Sequence, residues 1–382
     1  MFEKLDKTLL YIVIALLLIG ILFVYSSSYY ISIRSTGGPY YFAFKQIIWS
    51  LISFAAFIFF IRFDYRNLKK YVKPLVFVTI FLLLLVFIPG IGRESGGARR
   101  WIDLRISSFN PSELAKLTVI IYLSFILTKK QSKLEDFTFG LLPPLLLVSA
   151  IFFVILMQSG FSTAVLLLLV AFILFFVGGA SIKHIISIFI ISLPVLITFI
   201  SRVSYRKARV LSFLNPWEDA TGKGYHLIQS LKSFSDGGFF GLGLGNSVQK
   251  MGRLPTPHTD FIFSIIAEEA GIIGTTIIGI LYLLFFIRGV IIARNCEDKF
   301  GQMLAFGIVS LFTIHAFLNM GIAAGILPPT GVSLPLISYG GSSMLVLAAG
   351  CGILLNISIQ SPEKNKNTPV YNKINDIIDE GF

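Results

Sequence analysis

The chain has 382 residues, of which 55% are hydrophobic and only 14% charged, and its mean hydropathy is +0.81. Soluble domains carry roughly 25% charged residues, so the composition excludes an ordinary soluble enzyme and points to a chain built for lipid. The net charge of +12 does not mark a nucleic-acid binder, because the basic residues are scattered between apolar stretches rather than gathered on one polar domain.

A hydrocarbon core about 30 Å thick requires about 20 apolar residues of each spanning helix. Ten stretches meet that requirement: 8–30, 42–62, 74–91, 112–128, 141–158, 161–180, 184–200, 260–287, 300–325 and 339–358. The expected fold is an all-α, polytopic integral membrane protein with about ten transmembrane helices and a large extracytoplasmic loop, 201–258, between helices 7 and 8. The first stretch runs on past residue 26 into Ser26-Ser27-Ser28-Tyr29-Tyr30 without a small-residue cleavage site, so it reads as a retained helix and not a signal peptide. Ten spans put both termini on one side. With both termini in the cytoplasm, the inside segments hold 17 lysines and arginines, the short outside loops five and the long loop eight more.

Four of those outside charges fall in one loop, 92–111, which reads Gly96-Gly97-Ala98-Arg99-Arg100-Trp101-Ile102-Asp103 before Asn110-Pro111-Ser112-Glu113-Leu114-Ala115-Lys116. Arginine forks fit phosphate oxygens, and Trp101 suits a membrane interface. An anchored interfacial loop and an anion-binding loop are equally good readings. Ser112 is the expected cap of helix 4, with Glu113 in its first turn and Lys116 on the same face. That pair is either a salt bridge of the capping turn or part of a polar cavity, since charge at membrane depth is costly unless it is paired or hydrated. Next, Gln158-Ser159-Gly160-Phe161-Ser162-Thr163 reads as a tight turn in which Gly160 bends the chain and Ser162 caps the following helix.

The long loop mixes aromatic residues, glycines and basic residues, a pattern that suits short amphipathic helices joined by glycine turns. Its string Gly241-Leu242-Gly243-Leu244-Gly245 is no phosphate loop, because no strand precedes it and no Gly-Lys-Ser follows. The loop closes on Pro255-Thr256-Pro257-His258-Thr259-Asp260, with Glu268-Glu269 about two turns further. Thr259 is expected to cap helix 8 and Asp260 to sit in its first turn, where an acidic residue compensates the helix dipole. The company of His258, Thr259 and two deeper carboxylates suggests chemistry instead. Finally, Leu327-Pro328-Pro329-Thr330-Gly331 through Ser338-Tyr339-Gly340-Gly341-Ser342-Ser343 demands irregular backbone at membrane depth, hence a re-entrant segment. Cys296 and Cys351 suggest neither a disulfide framework nor a metal site.

Six of these motifs, in order, resemble the SEDS family (shape, elongation, division and sporulation): Gly97-Ala98-Arg99-Arg100-Trp101-Ile102, Pro111-Ser112-Glu113-Leu114-Ala115-Lys116, Gly222-Lys223-Gly224-Tyr225 with Gln229-Ser230, Gly243-Leu244-Gly245-Asn246-Ser247-Val248-Gln249-Lys250, His258-Thr259-Asp260-Phe261-Ile262-Phe263 with Glu268-Glu269, and Leu334-Pro335-Leu336-Ile337-Ser338-Tyr339-Gly340-Gly341-Ser342-Ser343. The likeness runs from about residue 8 to 358. The Gly-Leu-Gly-Asn-Ser-Val-Gln-Lys string is similar to the division (FtsW-type) and sporulation branches. Two positions depart from the family pattern: Gly160 stands where members usually carry an aspartate, and Thr330 where FtsW-type chains often have lysine.

The resemblance implies a SEDS-type transmembrane glycosyltransferase domain over 1–361, while the tail, 362–382, lies beyond it and reads from its own polar residues as a disordered cytoplasmic segment. It implies polymerisation of lipid II by an inverting peptidoglycan glycosyltransferase of the bacterial cytoplasmic membrane, serving septal wall synthesis. Asp260 matches the family's essential aspartate and is the expected catalytic group. Arg99, Arg100, Trp101, Glu113, Lys116, Lys250, His258, Thr259 and Ser342 are the expected substrate-binding residues. A divalent cation, Mg²⁺ or Mn²⁺, is an expected cofactor that Asp260 could hold, with no organic cofactor. The implied partners are a class B penicillin-binding protein and other divisome membrane proteins, with no nucleic acid. The rival readings are a lipid II flippase, a non-catalytic divisome scaffold, and an elongation or sporulation paralogue.

Overall fold

In the computed structural model, residues 5–95, 98–103, 108–201, 204–222 and 224–361 are described. Gly96, Gly97, Arg105, Lys223 and the tail 362–382 lie outside the described residues. The helices are α1 Lys7–Thr36, α2 Tyr41–Arg62 and α3 Leu68–Leu85, then α4 Pro111–Lys129, α5 Leu142–Met157, α6 Phe161–Val177 and α7 Ile182–Ser201. The long loop contributes α8 Ser204–Leu214 and α9 Tyr225–Gly237, and α10 Ile262–Asn295, α11 Lys299–Ala323 and α12 Gly341–Gln360 complete the bundle.

Each of the ten expected stretches overlaps a helix, although α3 lies N-terminal of its expected limits and α1 and α10 run on past theirs. By length and composition, however, eight are suited to crossing a membrane: α1, α2, α4, α5 with the turn before it, α7, α10, α11 and α12. The shortfall has local causes. Helix α6 has 17 residues, and α3 opens with Lys69, Lys70 and Lys73. The all-α expectation also omitted a small antiparallel sheet between α3 and α4, with β1 Gly92–Ser95, β2 Ala98–Asp103 and β3 Ser108–Phe109 in the order β1-β2-β3.

Caps account for several boundaries. Asp6 accepts from the Leu9 amide at 2.9 Å to start α1, and Asp298 accepts from Gly301 at 3.2 Å to start α11. The start of α4 is capped by Asn110, which accepts from the Ser112 amide at 3.1 Å, and not by Ser112; Pro111 fills the first helical position, where a missing N–H costs nothing.

Both ends of the described bundle meet on one side. The Asp6 amide donates to Ser358 Oγ at 3.4 Å, the Arg288 guanidinium pairs with Asp6, and Tyr65 N–H donates to Asn356 at 3.0 Å. The sheet, the long loop and the segment between α11 and α12 occupy the opposite end. Among the candidate spans, α4, α11 and α12 are the most buried, and Ile120, Leu123, Leu304, Phe312 and Leu354 on them lie in the core, whereas α7 is the least buried.

Helix α10 is broken at Gly271, where φ is +66° and ψ −163°. Such a break in a membrane must resatisfy the backbone groups it frees. The glycine string of the long loop does this. Leu242 and Gly243 amides donate to the Glu268 and Glu269 carbonyls at 2.9 and 3.0 Å, while the Ile272 and Ile273 amides donate to Gly238 and Phe239 at 3.0 and 3.3 Å. A Cβ on Gly271 would lie 2.5 Å from the Gly241 nitrogen, so only glycine fits. Residues 262–270 thus form a separate half-helix.

The irregular segment between α11 and α12 reaches deep into the bundle. A Cβ on Gly20, midway along α1, would lie 2.6 Å from the Leu336 carbonyl, and Tyr282 Oη donates to the Pro335 carbonyl at 2.7 Å. This is the re-entrant backbone expected from its prolines, lined by protein rather than lipid.

Candidate active site

Asp260 lies in a turn just before α10, which begins at Ile262 with Phe261 at its cap position. Thr259 does not cap the helix; its hydroxyl donates back to the Thr256 carbonyl at 3.2 Å, because Pro257 tightens the chain into a turn there. Asp260 is therefore outside the first helical turn, and dipole compensation does not account for its position.

Three consecutive carbonyls hold this turn in place. His258 O accepts from the Tyr339 amide at 2.9 Å, Thr259 O from Ser338 Oγ at 2.6 Å, and Asp260 O from Asn319 Nδ2 at 2.8 Å. The second amide proton of Asn319 goes to the Val332 carbonyl at 2.6 Å. One side of the Asp260 carboxylate faces Gly331, whose φ is +76° and where an added Cβ would stand 3.4 Å from Oδ2. Protein surrounds the carboxyl on most sides, yet part of the residue stays open to solvent. Burial raises its pKa above the usual carboxylate value, opposed by the guanidiniums of Arg209 on α8 and Arg100 on β2.

Arg100 is anchored from behind. Its Nε and Nη2 donate to the carbonyls of Gln158 and Ser159 at 3.3 and 2.5 Å. That turn bends at Ser159, with φ +62°, and not at Gly160. Ser162 caps nothing; its hydroxyl donates to the Thr330 carbonyl, next to Gly331. The turn 158–163, the end of the long loop and the segment between α11 and α12 thus meet around Asp260 with the sheet that carries Arg100.

His258 is buried between Phe42 and Tyr339, at ring-centroid distances of 4.6 and 5.6 Å. Burial pushes its imidazole down to about 4, so it is neutral near pH 7. His226, on α9, is shifted down by burial and then by Arg209, with its ring 6.0 Å from Phe261.

The other expected site residues are placed as follows. Arg99 points outward and pairs with Glu94 at 3.1 Å, both half exposed. Trp101 sits beside it on β2, opposite Arg93 in the sheet register. Glu113 and Lys116 form a buried 2.7 Å ion pair one turn apart on α4. Ser342 Oγ accepts from the Asn110 amide at 3.0 Å, tying α12 to the start of α4. Lys250 is buried and donates to Glu269 at 2.6 Å and Ser26 at 2.9 Å. Glu268 accepts from the Ser247 hydroxyl at 2.5 Å and the Val248 amide at 2.8 Å. The paired glutamates therefore clasp the loop that carries Lys250.

Sequence reading missed Arg209, Asn319, Gly331 and His226. A buried asparagine inside the apolar span of α11 was the available signal, because such a side chain at membrane depth needs a partner. Among the described residues no group of three or more His, Cys, Asp or Glu side chains is arranged to hold a metal ion.

A family model described as cell cycle protein, covering FtsW, RodA and SpoVE, matches residues 7–363. The chain belongs to the FtsW/RodA/SpoVE family. Among its relatives in this family, a probable peptidoglycan glycosyltransferase FtsW of Geobacter metallireducens is 41% identical, over 96% of this chain and 97% of the relative. Stage V sporulation protein E of Bacillus subtilis is 38% identical over 93% and 98%. Among solved structures, one described as a peptidoglycan synthase complex that coordinates polymerization and crosslinking is similar at TM-score 0.77 and 27% identity, over 94% of this chain and 99% of that one. The rod shape determining protein RodA of Thermus thermophilus is similar at TM-score 0.68 and 25% identity, over 94% and 98%. The FtsW/RodA/SpoVE fold is a multi-pass membrane bundle, as found here.

Proposed function

We propose that the chain is a peptidoglycan glycosyltransferase that polymerises a lipid-pyrophosphate-linked disaccharide, lipid II, during septal wall synthesis. The observation that carries this reading is Asp260: a carboxylate enclosed by protein on a residue that keeps some exposure, its pKa raised by burial, with Arg100 and Arg209 close enough to act on its charge. A raised pKa makes a carboxylate a better base, and guanidinium groups suit a leaving pyrophosphate.

In the reaction, the acceptor sugar's 4-hydroxyl gives its proton to Asp260 as its oxygen bonds the donor's anomeric carbon. The bond from that carbon to the pyrophosphate oxygen breaks on the opposite face, inverting the configuration. The leaving pyrophosphate takes the electron pair beside Arg100 and Arg209. Lys250 and Lys116 are already neutralised by Glu269 and Glu113 and serve packing better than pyrophosphate binding. Arg209 and Arg100 act on the Asp260 charge, and among the described residues no group of three or more His, Cys, Asp or Glu side chains is arranged to hold a metal ion. These residues do not by themselves fit a resident divalent cation.

The end bearing Asp260 is read as extracytoplasmic, with both termini in the cytoplasm, in line with the positive charge of the other loops. A class B penicillin-binding protein and further divisome membrane proteins are the proposed partners. The test is purified protein with lipid II, a divalent salt and that partner. Glycan strands resolved on gels support an enzyme, lipid scrambling without strands supports a flippase, and neither supports a scaffold.

A further inference from the structure

The turn that presents Asp260 is held by side chains that do not touch the reacting atoms. Asn319 is fully buried on α11 and divides its two amide protons between the carbonyls of Asp260, at 2.8 Å, and Val332, at 2.6 Å. Val332 follows Gly331, the residue facing the Asp260 carboxylate. One amide group therefore fixes both walls of the site relative to each other. Ser338 does the same one residue earlier. Its hydroxyl donates to the Thr259 carbonyl at 2.6 Å and accepts from the Leu334 amide at 2.7 Å, so it joins the Asp260 turn to the re-entrant segment.

These bonds lie where water is scarce, and unpaired carbonyls there are costly. Besides these bonds and the Tyr339 amide on the His258 carbonyl, Phe261 caps α10 without a side-chain bond and the Thr259 hydroxyl bonds only within the turn. The half-helix beyond it is cut from the rest of α10 at Gly271.

We propose that Asn319 and Ser338 are positioning residues that set the Asp260 carboxylate against the acceptor hydroxyl. The idea deepens the glycosyltransferase reading and rests on it for its kinetic part alone. Misplacement of a reacting group by about 1 Å can cost about a hundredfold in rate, while binding of the lipid tail and sugars elsewhere on the protein is untouched.

The kinetic test compares Asn319→Leu, Ser338→Ala and Ser338→Thr as purified, folded proteins. Asn319→Leu and Ser338→Ala are expected to lower kcat for lipid II polymerisation by about ten- to a hundredfold with KM little changed. Ser338→Thr, which keeps the hydroxyl, is expected to restore most of the rate. An equal loss in KM, or no rescue by threonine, overturns the proposal. A second arm needs no turnover: with Cys296 and Cys351 replaced by serine, Asp260→Cys is labelled with a charged thiol reagent. Adding Asn319→Leu is expected to change the labelling rate by about tenfold or more, and an unchanged rate overturns positioning even if wild type makes no polymer. Wild type that makes no polymer removes the glycosyltransferase reading, while the labelling arm still judges Asn319.

Discussion

Lys250 Nζ lies 2.6 Å from Glu269 Oε1 with both side chains sealed from solvent, and Glu269 closes the same half-helix whose other end begins just after Asp260. The long loop is thereby latched to the element that carries the candidate base. Breaking a buried pair from one side leaves an uncompensated charge and costs about 3–5 kcal/mol. Lys250→Met is therefore expected to lower the unfolding temperature in detergent sharply. The double change with Glu269→Leu should lose less than the two single losses combined, as a double-mutant cycle would measure.

Gly331→Ala should cripple turnover more than folding. A side chain at φ +76° costs about 1–2 kcal/mol, a modest loss in thermal unfolding. Its Cβ, 3.4 Å from Asp260 Oδ2, would occupy space the acceptor hydroxyl needs, so polymerisation rates should fall by about ten- to a hundredfold.

The break in α10 makes a different prediction. Gly271→Ala combines a left-handed backbone with a collision against Gly241, so the loop must leave the break and expose the Glu268 and Glu269 carbonyls. Increased proteolysis between residues 238 and 250 is the expected readout; an unchanged cleavage pattern would show that the loop docks independently of Gly271.

The pH dependence follows from burial. Asp260 has a folded-state pKa above its unfolded value, so its contribution to stability is greatest at low pH and is lost as pH rises through the folded value. Asp260→Asn should accordingly raise the unfolding temperature at pH 7, with the difference vanishing in acid. Activity should fall in acid with a midpoint above the ordinary carboxylate range. Arg209→Gln removes a lowering influence and should move that midpoint higher. His258 behaves oppositely: held down to about 4 from an ordinary 6.5, it removes stability as pH falls through that interval.

The helices were legible because their apolar stretches match the thickness of a bilayer, and α2, α4, α11 and α12 fall within a few residues of their expected limits. The pairing of Glu113 with Lys116 was also legible, because helical spacing alone brings them together. Caps were misassigned where a neighbour competed. Asn110 outranks Ser112 because Pro111 must occupy the first helical position, and Ser162 turns to Thr330 instead of its own helix. Arg209 was hidden for another reason, and Asn319 signalled only that it needed a partner: their roles depend on which elements meet around Asp260, and periodicity within one segment carries no such information. The glycine string was legible as turns, but its insertion into α10 required knowing that Gly271 breaks the helix.

Strand synthesis from lipid II by the purified protein with its transpeptidase partner, compared between wild type and Asp260→Asn at pH 7, tests the account most directly. Glycan polymer from the wild type, and none from an equally folded Asp260→Asn protein that still binds the lipid, is the predicted result. Polymer made at the wild-type rate by Asp260→Asn would contradict it.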